Sequence, residues 1–516
     1  MIFCFFVLFS VLLALVPVSV KANGPYSETW VDDDFWSGTP GWGDTHFDEI
    51  QDGVDAVADY GVVHVYPGYY DWVEIDHPLT LEGAGRGQSF IQSEEVLILI
   101  FEDDVYVSGF TLRYSLVAVL VTSPTVYDDV ISDCEIYDAV VGVYFDDCVN
   151  CSVVNCEIHH CDEIGVCFDD VSMCRIAGCH IHDNTDFQGD DFGVLLSETP
   201  FSAWGTIICG CLIEDNGEGI VLKEGTTYSH IVGNTIRNNG LADLTGIVVE
   251  YGAGWNWAIL NNIYDNDYGV YVGSGTNGPT ELGAWLNWWG HTTGPSNAGP
   301  GSGDAISEDV YFDPWLTVMV TNGTAEWVEG DGVLDGLDET DAEVVYTNAH
   351  SPESPMVIGV VSYAANPGDP FDGDIGKHID VFHNYGYVEE LEIRLYYTDA
   401  DISGFDESSL QMYYMSFWDG DGWQPCSNTG VVTEADPPYS GYIWAIINDE
   451  TTPNIYNLAM EDGPFGARGD EEPTGPAEPV GGDILAIDKL AVLTPYFIMA
   501  IVFLTATSFL IKKRKH

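Results

Sequence analysis

Positive charge is what this chain has least of. Lys and Arg number 14 against 83 Asp and Glu, leaving a formal net charge of −69. That excludes nucleic acid as a partner, because phosphate binding needs clustered Lys and Arg. The imbalance suits cations, or a saline exterior where charge maintains solubility. Long apolar runs are missing from the interior of the chain and occur only at 2–20 and 490–511. The first of these lacks the basic residues that usually open a secretory signal. What is present argues against an acidic disordered chain. Hydrophobic residues make up 46% and aromatics 13%, enough for a packed core under the charge.

A phrase recurs six times between 130 and 272: a small or polar residue, then Cys or Asn, then any residue, then Ile. Its Ile positions are Ile136, Ile158, Ile181, Ile213, Ile236 and Ile263. A second phrase, Gly then an aliphatic, runs in phase with it from Gly142-Val143 to Gly269-Val270. A third column sits five positions before each Ile, from Ile131 to Ala258. Periods of 20 to 30 residues mean a stacked array, and these units are too short for paired helices. Each holds two or three β-rich runs separated by Asn, Asp and Gly, which turn corners because they tolerate positive φ. The simplest object is a coil of parallel strands, one turn per repeat, with like residues stacked about 4.8 Å apart. An inward Ile column would fill the bore, beside an inward column holding Cys134, Cys156, Cys179 and Cys211. Cys151 and Cys174 fall one turn apart, where a disulfide could form outside the cell.

This pattern resembles the right-handed parallel β-helix repeat of the pectin-lyase-like superfamily, over roughly 44–316. The resemblance implies the fold and not a reaction. The expected class is all-β: a right-handed parallel β-helix, then a small antiparallel β-sandwich, then a C-terminal transmembrane helix. In order, 1–22 reads as a signal peptide, with an uncleaved anchor as the other reading, and 23–43 as an irregular arm. The spacing of Phe47, Ile50, Val54 and Val57 predicts a short helix capping the open end of the coil. Trp288, Trp289 and Trp315 are expected to cover the last turn, near 316. Residues 317–353 read as linker, with room for an edge strand, and 354–462 as the sandwich, with alternation clearest in Leu391–Tyr397. Residues 463–489 read as an acidic Pro/Gly stalk. Residues 490–511 are long enough to span a bilayer, and the basic tail 512–516 would keep that end cytoplasmic.

Three groups could carry chemistry. Phe145-Asp146-Asp147 and Phe168-Asp169-Asp170 are one turn apart. In register, Asp146, Asp147, Asp169 and Asp170 would repel, or recruit a cation such as Ca²⁺. The same Asp pairs could simply turn corners. A second group follows from His159 and His182, which should stack. With Cys161 and Asp183 they could hold zinc or copper through imidazole and thiolate, or be polar corner residues. Third, Asn184-Thr185-Asp186 and Asp190-Asp191 resemble the acid motifs of polygalacturonase-like β-helix hydrolases. That makes Asp186, Asp190 and Asp191 catalytic candidates. In that family the motifs sit on successive turns, and its His-bearing and Arg/Lys-bearing motifs are absent here.

The leading expectation is an exported, membrane-tethered protein binding, or binding and cutting, an extracellular polysaccharide along the coil's long face. The alternatives are a non-catalytic adhesin or envelope-layer protein, and an extracellular Ca, Cu or Zn-binding protein.

Overall fold

The computed structural model describes residues 24–471, apart from 186–190, 198–204, 241–244, 274–280, 351–355, 385, 418–421 and 459–462, and without the side chains of 123 and 124. The expected signal 1–22, membrane span 490–511 and tail 512–516 lie outside the described residues. Among those described, no helix is long and apolar enough to cross a membrane.

Stacking in register builds the molecule. Ile136 pairs with Ile158, and Ile158 with Ile181, in parallel strands. The same ladder continues through Leu112, Ile91 and Tyr70 in one direction and Ile213, Ile236 and Ile263 in the other. All of these side chains are buried in the bore. Each turn offers three faces. The first is a 13-stranded parallel sheet that includes Ser152–Val154 and Arg175–Ala177. The second stacks short strands such as Glu157–His159 on His180–His182. The third stacks Ile164–Asp169 on Phe192–Ser197.

The corners explain the recurring phrase. Its first residue is left-handed in turn after turn: Asp133 (φ 51°), Asn155 (52°), Gly178 (63°), Gly210 (62°) and Gly233 (67°). Small and Asx residues adopt that region at least cost. The next residue serves backbone groups that the corner takes out of the ladder. Asn234 Oδ1 accepts from the Cys211 N–H at 2.9 Å, while its Nδ2 donates to Ile208 O at 2.8 Å and Asn261 Oδ1 at 3.0 Å. Cys134, Cys156, Cys179 and Cys211 occupy the same column in earlier turns, and the Cys156 thiol faces Val154 O at 3.4 Å. The disulfide considered for Cys151 and Cys174 is absent, since both are free thiols. Each thiol instead faces a backbone carbonyl two residues back, Val149 O at 3.5 Å and Ser172 O at 3.6 Å.

At the start of the coil, α1 (Ile50–Ala56) buries Ile50, Gly53 and Val54. The arm expected to be irregular carries a strand, Tyr26–Val31, paired in parallel with Val57–Val65. Trp30 holds it there, stacked on His46 at 5.2 Å and His64 at 5.7 Å. At the other end Trp289 is fully buried in the bore and Trp315 packs against the same core. Trp288 turns instead to the neighbouring domain.

That domain is an antiparallel pair of sheets, and it begins earlier than expected. The supposed linker 317–353 contains the strands Val320–Val328, Gly330–Gly336 and Ala342–Ala349. The supposed stalk opens with a further strand, Gly463–Arg468, paired with Asp374–His383. Among the described residues one sheet has six strands and the other five. The strand Leu391 belongs to alternates buried and half-buried residues, as its sequence predicts. The linker reading fails because 317–328 is not free chain: it lies on the first face of the coil. Ile207, Val232 and Ile259, which point outward there, are buried against Val320, Ala325, Val361 and Phe382. The backbones meet closely, and a Cβ on Gly233 would come within 2.8 Å of Gly323 Cα. Asn262 ties the seam, donating to Val320 O at 2.9 Å and accepting from Val320 N at 3.0 Å.

Two predictions follow from this packing. Asn234→Ala strands the buried Cys211 N–H and removes the side-chain donor to Ile208 O, and is expected to cost about 2–4 kcal/mol by urea unfolding. His230 is buried at the seam, 4.9 Å from the Trp257 ring and 5.8 Å from Trp327. Burial pushes its pKa down to about 4. The folded state therefore holds fewer protons than the unfolded chain between about 6.5 and about 4. Stability present above that window should be lost as pH falls through it, and His230→Gln should flatten the loss in unfolding measured at pH 7 and 5.

Candidate functional site

The second face is built from two outward columns that flank the inward Ile ladder. One runs Tyr69, Phe90, Thr111, Glu135, Glu157, His180, Leu212, Thr235, Asn262. The other runs Arg113, Tyr137, His159, His182, Glu214, Arg237, Tyr264. Period-2 alternation puts both outside wherever the Ile between them is inside.

Aromatic and cationic groups interlock along these columns. Tyr69 stacks on Phe90 at 4.9 Å, and the Arg113 guanidinium sits over Phe90 at 4.9 Å and Tyr114 at 5.0 Å. Tyr137 stacks on His159 at 5.2 Å, and His159 on His182 at 4.9 Å with rings 7° from parallel. Acids pair with bases one turn further on. Glu135 lies 3.8 Å from His159, Glu157 lies 3.6 Å from His182, and His180 Nε2 is 3.0 Å from Glu214. Arg237 closes the series with a 2.6 Å contact to Glu214. Burial works to raise the Glu214 pKa, but hydrogen bonds from Arg237 and His180 outweigh it and hold the carboxyl below its ordinary range. His159 is lowered, first by burial and then by its neighbours His182 and His160.

The predicted His/Cys group is thus partly assembled. His159, His182 and Asp183 come together, with Asp183 accepting from His182 Nδ1 at 2.8 Å. Cys161 does not join them. Its side chain is buried in the bore, and burial pushes the thiol up to about 12. It shares the second corner column with Asn184, whose Oδ1 accepts from the Cys161 N–H at 3.0 Å. Sequence reading missed Glu135, Glu157 and Glu214. Two of these occupy the slot between Cys and Ile that accepts any residue, and only the paired register reveals that slot as a surface column.

The predicted carboxylate column is in register, with Asp146 paired to Asp169 on the third face. Thr122 donates to Asp146 at 3.1 Å and Tyr144 to Asp169 at 3.1 Å. Burial raises both carboxyls above their ordinary range. Asp147 (φ 57°) and Asp170 (φ 54°) are corner residues in the left-handed region. Of the hydrolase-like acids, Asp186 and Asp190 lie outside the described residues. Asp191 is buried and accepts from Thr185 at 3.0 Å.

A separate open cleft of about 280 Å³ lies where the second face begins, lined by Asp33, Asp48, Glu49, Tyr69, Asp71 and Trp72 among others.

Residues 121–281 match the family model described as right handed beta helix region. The coil is a right-handed β-helix. Solved structures similar to the chain include a pectate lyase, at 13% identity over 56% of this chain and 79% of that one, TM-score 0.37. The mannuronan C-5 epimerase A-module of Azotobacter vinelandii aligns at 12% identity over 44% of this chain and 69% of that one, TM-score 0.31. The Dettilon tailspike protein aligns at 11% identity over 86% of this chain and 95% of that one, TM-score 0.34. No curated protein matches the chain.

The raised carboxyls of the β-helix's third face yield a signed prediction. Their stabilising contribution is present below the unfolded pKa and is lost as pH rises through the folded one. Asp169→Asn should therefore raise the melting temperature at pH 7. If Ca²⁺ binds the pair, millimolar Ca²⁺ should raise the melting temperature of the native chain and not of Asp146→Asn.

Proposed function

We propose that the second face of the β-helix binds a polysaccharide chain, and that the protein presents this face outside the cell. One observation carries the reading: aromatic and cationic side chains form a single strip along that face. From Tyr69 to Thr235 the first column spans seven strand spacings, roughly 34 Å, and Asn262 beyond it is covered by Val320. Tyr69 is 59% exposed, Trp72 49% and Tyr114 53%, so apolar ring surface is open at the end where the cleft lies. Such amphipathic rings suit the apolar faces of sugars, with the polar neighbours left for hydroxyls. The strip also gathers scarce charge. Of the five basic side chains between 44 and 316, namely Arg86, Arg113, Arg175, Lys223 and Arg237, three line it. A chain with net charge −69 repels polyanions in general, so this is the patch where an acidic sugar would be accepted.

The setting fits the same reading. The apolar run 2–20 suits export, and the run 490–511 before Lys512-Lys513-Arg514-Lys515 suits an anchor with a cytoplasmic tail.

The test is retention of the full chain on immobilised neutral and acidic polysaccharides, with release of new reducing ends followed in parallel. Tyr69→Ala, Arg113→Ala and Tyr114→Ala should each weaken binding about tenfold, as loss of an aromatic or Arg anchor does. Asp169→Asn on the third face should leave it unchanged. Retention on no polysaccharide, or equal retention of all three variants, would sink the proposal. Binding without new reducing ends would exclude chain cleavage and favour the adhesin reading.

A further inference from the structure

On the second face, ligand atoms of Glu157, His180 and His182 lie within 4.8 Å of one another. The strands Glu157–His159 and His180–His182 are neighbours in register, so rigid backbone fixes this grouping. Each imidazole is held from behind by a carboxylate. Asp183 sits 2.8 Å from His182 Nδ1, and Glu214 sits 3.0 Å from His180 Nε2. A carboxylate only accepts, so each of these nitrogens carries the proton. In the neutral imidazole the other nitrogen of each ring is then a bare lone pair. For His182 that atom is Nε2, which is buried and has no hydrogen-bond partner among the described residues. Its nearest carboxylate oxygen, Glu157 Oε1, stands 3.6 Å away, too far for a hydrogen bond. The second oxygen of Glu157 faces Arg86 at 3.9 Å, which leaves Oε1 turned to the histidines.

A buried lone pair with no donor facing it is costly unless something accepts it. Two imidazoles and one carboxylate, each imidazole backed by an acid, is the donor set of an open zinc-type centre. Calcium and magnesium prefer all-oxygen shells and fit it poorly.

We propose that Glu157, His180 and His182 bind a borderline divalent transition cation, with Asp183 and Glu214 orienting the two imidazoles. Cys161, the thiolate the sequence suggested, takes no part, because it faces the bore. The centre lies on the polysaccharide-binding face but does not depend on that reading, and its test contains no sugar.

The test uses the untagged full chain, stripped of metal, with Co²⁺ as visible probe and Zn²⁺ as competitor. Millimolar Ca²⁺ is kept present to saturate non-specific acidic sites. One equivalent of Co²⁺ should give d–d absorption that Zn²⁺ abolishes. His180→Gln, His182→Gln and the isosteric Glu157→Gln should each weaken uptake at least tenfold, and Asp183→Asn about 10–100-fold. Cys161→Ser should leave it unchanged. Far-UV circular dichroism of each variant should match the native chain, since these three side chains point outward. No Co²⁺ band in the presence of Ca²⁺ would overturn the proposal. Native affinity in any of the three ligand variants would overturn it as well.

Discussion

Parallel pairing in register is the constraint on which everything else rests. Because Ile136, Ile158 and Ile181 lie over one another, every residue at a fixed offset from them also forms a column. The bore is the inward column, and the surface proposed to bind sugar is the pair beside it. A surface of this kind cannot choose side chains independently, since each has a copy of its slot about 4.8 Å above and below. Like charges then repel, and rings gain, as in the Tyr137–His159–His182 stack.

The second face resolves this tension by offset. Acids in one column meet bases of the other column one turn further on, as Glu135 meets His159 and Glu157 meets His182. Neither column is a run of one sign. The third face has its acid–base contact further along the coil, between Lys223 and Glu250. Its Asp pair is served by the hydroxyls of Thr122 and Tyr144, which hydrogen-bond but do not neutralise.

The fold was legible where a letter had one physical cause. Ile every two dozen positions meant the bore, and Asp, Asn or Gly before Cys or Asn meant a left-handed corner. The antiparallel domain was partly legible, in the alternation of Leu391, Ile393 and Leu395. Its beginning was not, because Val320–Val328 is a polar-looking strand whose partner is the coil. A signal for that docking does exist. The outward slots of the first face pass from Ser152 and Arg175 to Ile207, and from Val154 to Val232 and Ile259, as later turns are reached. The site was half legible. His159 and His182 announced themselves by spacing, but Cys161 and Cys156 look alike in sequence although both are inward corner residues. Only the Asn184 that follows in the Cys161 column marks that slot as interior.

The docked domain divides the coil into two regimes. Among the described residues its apolar seam with the first face runs from Ala177 to Leu286, and Arg175 donates to Thr324 at 2.8 Å at the near edge. Turns before Arg175 contribute no side chain to that apolar seam among the described residues, so a repeat could be duplicated or deleted there while the seam stayed intact. A repeat gained between 207 and 260 would pull the seam out of register. Lineages of this protein should therefore vary in length on the amino-terminal side, lengthening or shortening the aromatic end of the strip while the Glu214–Arg237 end keeps its size.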